Sequence, residues 1–356
     1  MDRAQERKNL RDGIRGCFAG VAFGDALGMA WETLSAGEIF AATHSKGVTD
    51  LQDLPGGADD RHFSSAQGLT LGDTTDDWQL TAACAKSIIR CKGFDLLDQS
   101  MVLVEALEQT SAGWGGTTRQ SVLQMKTWFN SRGWDGRRPG VAPVHGPNKG
   151  AGNGVLMRLS PVGAYYAAHY LRDDWGATSD LCSETACQFS LLTHGVREAV
   201  RSAQCLLHIF VDILNCRMNG GHPPMLSRLK TLIAREMTDY RDVEPIRRLL
   251  DGPNVSRRIL EDPVLLRETT GTSTLASETV AFTLATYLRH QTDFRAAVLE
   301  AVNAGGDTDT NASIIGALVG ASVGWNLLPQ GWLSQVPKVN EAVTLADTFC
   351  DALFPA

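Results

Sequence analysis

The chain has 356 residues, 43% of them hydrophobic, with a formal net charge of −7 at pH 7 and a pI near 5.6. That is enough apolar material for one large core or two associated ones, which excludes a disordered protein. The acidic balance gives no general attraction to DNA or anionic membranes, so no nucleic-acid partner is expected. The opening MDRAQERKNLRDG is polar where a secretory signal needs an apolar run, and no apolar stretch is long enough to cross a bilayer. The eight cysteines are scattered without a Cys-x-x-Cys pair, and no His-Glu-x-x-His occurs. The expectation is a reduced, cytoplasmic protein with no membrane association and no zinc site built from cysteine.

Apolar positions recur at helical spacing over 12–30, 75–91, 95–109, 118–129, 183–193, 197–216, 273–289, 292–304 and 309–324, while alternating patterns are scarce. The fold class is therefore all-α. A short polar segment, 1–11, precedes a single domain over 12–356, with peripheral helices and turns expected at about 215–270. The first helical segment carries glycines at 16, 20, 24 and 28, and the last carries them at 316, 320 and 324. Residues four apart share one helix face, and each interior glycine costs about 1 kcal/mol relative to alanine. The repeated cost points to close backbone approach by a neighbour, and marks these two as central helices.

The second segment opens with LGDTTDDWQL, in which Asp73, Asp76 and Asp77 crowd around Thr74 and Thr75. A threonine or aspartate cap and an acidic first turn suit a helix N-terminus, but one or two such residues suffice, and neighbouring carboxylates repel. A cap and a cation site are both open readings of this stretch. Further on, SRGWDGRRPGVAPVHGPNKGAGNG over 131–154 reads as a long loop or chain of turns. Near the end, AGGDTDTNAS repeats the design of the first cluster: glycines stop one helix, and Asp307, Thr308, Asp309 and Thr310 open the next. Two such clusters can converge on one cation or two. Their hard oxygen donors, without Cys or His, suit magnesium or manganese better than zinc.

The blocks GDALGMAWE (24–32), GDTTDDWQL (72–80), GWGGTTR (113–119), GAGNGVLMRLSPVG (150–163), LLTHGVREA (191–199) and VNAGGDTDTNASIIGALVG (302–320) resemble, in order, those of the ADP-ribosylglycohydrolase family. This family includes the dinitrogenase reductase-activating glycohydrolases and the ADP-ribosylarginine hydrolases. The resemblance implies a compact orthogonal multi-helix bundle and a cleft for ADP-ribose holding two divalent cations, Mg2+ or Mn2+. It implies Thr75, Asp76, Asp77, Asp307, Asp309 and Thr310 as metal ligands, with Asp73 outside that set. It also implies an acidic residue near the metals at Glu32, so that Glu32, Asp76 and Asp77 are the candidates for proton transfer.

The ligand-binding candidates are Trp114, Gly115, Gly116, Gly152, Asn153, Gly154, Arg158 and His194. Exposed glycine amides can cradle a pyrophosphate or simply form turns. Trp114 is either a core aromatic or a flat surface for adenine or ribose. Asn153 suits a ribose hydroxyl or a loop, Arg158 a phosphate or a structural ion pair, and His194 a ligand contact or a helix C-terminus. The implied activity is hydrolysis of the glycosidic bond between ADP-ribose and a modified acceptor, a protein arginine above all. O-linked conjugates such as ADP-ribosylserine or O-acetyl-ADP-ribose, and a non-catalytic ADP-ribose-binding role, are the alternatives. Some arginine-directed members carry an Asp just before the aromatic-Gly block, where QTSAG has none and Glu108 is the nearest acid. The implied partner is an ADP-ribosylated protein, supplied by an ADP-ribosyltransferase or toxin target system, with a monomer as the default state.

Overall fold

The chain enters its first helix almost at once. In the computed structural model, which describes residues 2–60, 68–131, 150–171, 178–224, 227, 229–231, 244–250 and 253–355, α1 runs Arg3–Gly28. Asp2 caps it, accepting from the Gln5 amide at 2.7 Å. The polar residues expected as a separate leading segment are thus the outer turns of α1, and the helix is continuously buried from Gly16 onward.

The remaining helices are α2 (Ala36–Ala42), α3 (Asp76–Cys91), α4 (Leu96–Gln109), α5 (Gly116–Ser131), α6 (Ser160–Tyr170), α7 (Thr178–Leu191), α8 (Arg197–Met218), α9 (Glu244–Leu250), α10 (Pro253–Glu261), α11 (Pro263–Thr270), α12 (Ala276–Arg289), α13 (Phe294–Asn303), α14 (Thr308–Val323), α15 (Gln330–Leu333) and α16 (Pro337–Leu353). Among the described residues there is no strand, only the isolated bridges Ser35–Gly305 and Gly152–Leu275. The fold is an all-α bundle. No described helix is long and apolar enough to cross a membrane.

Helical periodicity located nine of these helices, eight of them to within about five residues at each end and α1 without its first nine residues, and missed others for definable reasons. Helix α6 is apolar on nearly every side and largely buried, so it carries no polar face to set a period. Helix α2 is two turns long, too short for a period, and its signal is the Ser35/Glu38 capping box. Helix α16, opened by Pro337 and burying Val339, Ala342, Ala346, Phe349 and Leu353, had a readable apolar stripe. Of the expected peripheral region, α9, α10 and α11 pack on one another and on α12. Most of the expected 131–154 loop lies outside the described residues, with Ser131 closing α5 and 150–154 forming part of the site below.

The glycine stripes meet each other. α1 and α14 run antiparallel, with Gly16 against Gly320, Gly20 against Gly316, Gly24 against Ala312, and Gly28 against Thr308 and Asp309. A Cβ on Gly20 would stand 2.0 Å from the Gly316 carbonyl oxygen, and one on Gly24 2.1 Å from that of Ala312. These are backbone atoms and cannot step aside. The outer face of α1 packs on α16, with the Phe18 and Phe349 rings edge to face at 5.6 Å, while Phe23 meets Trp332 at 4.4 Å.

Gly20→Ala is expected to destabilise the fold by about 3 kcal/mol or more, because its methyl has nowhere to go. Gly331→Ala, where a Cβ meets nothing within 4 Å, is the control expected to stay near neutral. Denaturant unfolding of both variants checks this.

Candidate active site

The close α1–α14 contact carries the end of one helix onto the start of the other. At Gly28 the carbonyl accepts from Thr308 Oγ1 at 2.8 Å. Just before α14, Gly305 and Gly306 have φ of 74° and 83°, a region open to glycine at little cost. This lets Gly306 exchange hydrogen bonds with the 33–34 turn: its amide donates to Leu34 O and its carbonyl accepts from Thr33 N, each at 2.8 Å. Glu32, immediately before that turn, is thereby held near Asp307.

α3 delivers the other cluster. Thr75 is its N-cap residue, and Asp76 and Asp77 fill its first turn, all three buried. The two Asp/Thr clusters converge as the sequence suggests. Thr310 Oγ1 lies 3.3 Å from Asp77 Oδ2, and Thr75 Oγ1 lies 3.4 Å from both Asp77 Oδ2 and Asp309 Oδ2. One carboxylate oxygen each from Asp25, Asp77 and Asp309 fall within 4.8 Å of one another, and so do oxygens of Glu32, Asp307 and Asp309. Asp309 belongs to both groups, so the two sets of acids are adjacent.

Six acids, Asp25, Glu32, Asp76, Asp77, Asp307 and Asp309, are buried here. Burial, reinforced by neighbouring acids, pushes Glu32 up to about 9 and holds Asp76, Asp77 and Asp309 well above the ordinary carboxylate range. Burial also raises Asp25, to about 6, against the pull of its hydrogen-bond donors. Asp77 Oδ1 and Glu32 Oε2 are buried without a hydrogen-bond partner. Buried anions of this kind need cations, and the carboxylate and hydroxyl oxygens fit a hard divalent ion.

Above the cradle lies a cavity of about 290 Å³, with Glu32, Asp76, Asp307, Asp309 and Thr310 at its acidic side. Gly115, Gly116, Gly152, Gly154, Asn153 and His194 also line it. A Cβ on Gly115 or Gly116 would meet nothing, so both present open backbone, and the Gly115 amide donates to Asp76. Gly154 is tightly enclosed instead, since a Cβ there would stand 2.6 Å from Thr118 Oγ1 and 2.9 Å from His194 Cε1.

Other candidates stand in supporting positions. Asn153 lines the cavity, but its Nδ2 donates to Asp307 Oδ2 at 2.6 Å and to Thr279 Oγ1 at 2.9 Å, orienting an acid of the cradle. Arg158 is fully buried and does not line the cavity; it donates to Gly154 O and Thr193 Oγ1 and lies over the Phe189 ring. Trp114 is also buried off the cavity, donating from Nε1 to Gln79 Oε1 at 3.1 Å. Asp73 is exposed and accepts from Thr70, outside the cradle. Sequence reasoning missed Asp25 as a functional residue. Its signal was a lone carboxylate inside the otherwise apolar, glycine-striped AGVAFGDALG.

This fold and this site define a class: an all-helical protein with an oxygen-lined cation cradle at the floor of a glycine-rimmed cleft. The chain belongs to the ADP-ribosylglycohydrolase family, whose profile matches residues 6–355, and it is an enzyme of glycosidic linkages to ADP-ribose. It is 24% identical to ADP-ribosylhydrolase ARH3 of Mus musculus, over 94% of this chain and 90% of that protein. It is also 24% identical to the ADP-ribosyl-[dinitrogen reductase] glycohydrolase of Rhodospirillum rubrum, over 92% and 91%. With the ADP-ribosylarginine hydrolase Tri1 of Serratia proteamaculans it shares 25% identity over 94% and 78%. A solved structure described as an ADP-ribosylglycohydrolase-related protein complex superposes with a TM-score of 0.69 at 26% identity, covering 98% of this chain and 100% of that one.

The raised carboxyls set a pH dependence. Glu32 titrates near 4.5 in the unfolded chain and about 9 in the fold, so between these values the folded state binds more protons and stability falls as pH rises. Chelator-treated protein is expected to melt at progressively lower temperature from pH 6 to about 9, and saturating Mn2+ should flatten or reverse that trend, because the cation binds the ionised acids. Removing one charge tests the same tension. In chelator, Asp77→Asn should melt at or above wild type, whereas added Mn2+ should stabilise wild type and leave the variant nearly unmoved, as read by calorimetric melting.

Proposed function

We propose that the chain releases ADP-ribose from protein arginine side chains, with two Mg2+ or Mn2+ ions held by Thr75, Asp76, Asp77, Asp307, Asp309 and Thr310. The observation that carries the reading is the acidic side of the cavity, where among the described lining residues there is no lysine or arginine. Glu32, the one acid of that wall outside the ligand set, is left to face a cationic guanidinium acceptor, and no basic side chain repels it. The relative whose name specifies arginine supports this choice, whereas those named ADP-ribosylhydrolase ARH3 point to the alternative linkages.

Bound divalent cations supply fixed positive charge and Lewis acidity to this site. The chain's own residues do the rest. Glu32 and Asp76 face the cavity and Asp77 does not line it, so the proton of the attacking water goes to one of the first two. Glu32 is preferred as base, because its Oε2 has no other partner and cations bound to the neighbouring acids would bring it to its ionised form. Water adds to C1 of the ribose as the bond to the guanidine nitrogen breaks, through an oxocarbenium-like transition state. The departing guanidine takes up the proton that the base received from water and leaves as guanidinium, which returns the base to its starting form. Gly115 and Gly116, at the start of α5, offer open backbone to the pyrophosphate.

Chelator-treated protein reloaded with Mn2+ or Mg2+ is expected to release ADP-ribose from arginine-linked peptides, and to spare serine-linked peptides and O-acetyl-ADP-ribose, by chromatographic assay of free ADP-ribose. Asp309→Asn should reduce turnover by more than the ~10–100-fold typical of outer-shell partners. Selective cleavage of the serine linkage would overturn the arginine acceptor. Binding of ADP-ribose without turnover of any conjugate would overturn the enzyme reading.

A further inference from the structure

We infer that Asp25 is a positioning residue: by accepting the Thr75 hydroxyl proton, it turns the lone pairs of Thr75 Oγ1 into the cradle as a neutral ligand. This rests on the reading that the cradle holds divalent cations. Thr75 is the N-cap residue of α3, yet its own side chain makes no cap bond. The cap comes from α1. Asp25 Oδ1 accepts from Thr75 N at 2.9 Å and from Thr75 Oγ1 at 2.8 Å, while Oδ2 accepts from Thr75 N at 3.0 Å and from Trp78 N at 2.9 Å.

Thr75 Oγ1 has one proton and three carboxylate neighbours. Asp25 stands at 2.8 Å, while Asp77 and Asp309 stand at 3.4 Å, the limit of a hydrogen bond. The proton goes to Asp25, so the lone pairs face Asp77 and Asp309. Without Asp25 the proton would turn towards one of those two acids and present a donor where a cation needs an acceptor.

Distance alone would make Asp25 a ligand, since one of its oxygens lies within 4.8 Å of oxygens of Asp77 and Asp309. Its hydrogen bonds assign it otherwise. Both oxygens of Asp25 are committed to α3, to the three donors Thr75 N, which bridges them, Thr75 Oγ1 and Trp78 N, whereas Asp77 Oδ1 and Glu32 Oε2 are uncommitted. Asp25 therefore works from behind, through Thr75.

The test is calorimetric titration of MnCl2 into the chelator-treated full chain, with a melting curve for each variant. Asp25→Asn and Asp25→Ala remove the same charge, but only Asn keeps an oxygen for the Thr75 hydroxyl. Mn2+ binding is expected to weaken by about 10-fold in Asp25→Asn and about 100-fold in Asp25→Ala, and the gap should shrink to about twofold in the Thr75→Val background, where there is no hydroxyl to orient. A gap that persists in that background reduces Asp25 to a backbone cap and overturns the inference. So does wild-type affinity in both variants. Should Asp25→Ala not fold, Asp25→Leu, which fills the space without an oxygen, takes its place in the double-mutant cycle with Thr75→Val: coupled losses support the inference and additive losses overturn it. Wild-type protein that takes up no Mn2+ would overturn the cation reading itself, a result distinct from wild-type uptake with additive variants.

Discussion

Everything at the active site depends on two helices touching backbone to backbone. α1 and α14 approach through Gly16, Gly20, Gly24, Gly28, Gly316 and Gly320, and a single added methyl would fall about 2 Å from a carbonyl oxygen. The geometry is exacting because backbone atoms, unlike the ends of side chains, have no rotamers with which to relieve a clash. The antiparallel pairing carries the last turn of α1 onto the first residues of α14, so Glu32 and the Asp307–Thr310 cluster become neighbours. The glycines lower intrinsic helix propensity along both segments, and packing at the centre of the bundle offsets that loss.

The same rigidity lets the fold tolerate its most unfavourable feature, a group of buried acids with few compensating cations. Burial and mutual repulsion favour the neutral carboxyls, most clearly at Glu32. A flexible scaffold would relax by letting the acids drift apart into water. Here α3 is pinned by Asp25, α14 by Gly28 and the 305–306 turn, and Asp307 by Asn153, so the acids stay converged. Preorganisation at the expense of metal-free stability is the usual signature of a site built for charge that arrives with a ligand.

A second feature is the division of labour around the cleft. Arg158, Asn153 and Trp114 belong to the sequence blocks that mark the family, and all three hold other parts of the site in place. Arg158 buttresses the Gly154 carbonyl, Asn153 orients Asp307, and Trp114 ties the glycine turn to Gln79 on α3. The surfaces left open to a ligand are largely glycine backbone and acid oxygens. Such a lining suits a polyhydroxylated, phosphate-bearing molecule better than an apolar one.

The sequence by itself determined the helical class, nine of the helices, the glycine stripes and both Asp/Thr clusters, because periodicity, caps and spacing are local properties of the chain. It marked Thr75, Asp77, Asp309 and Thr310 as one group, and the structure brings them within hydrogen-bonding range of one another. Helix α6 stayed illegible because a helix buried on nearly all sides has no polar face to set a period. Whether Arg158 and Trp114 face the cleft or stand behind it depends on side-chain direction across packed elements, which no spacing within one segment encodes. The role of Asp25 was hidden for the same reason. Its partners, Thr75 and Trp78, lie some fifty residues further along, on another helix, and only tertiary packing turns an isolated acid in an apolar helix into the cap of its neighbour.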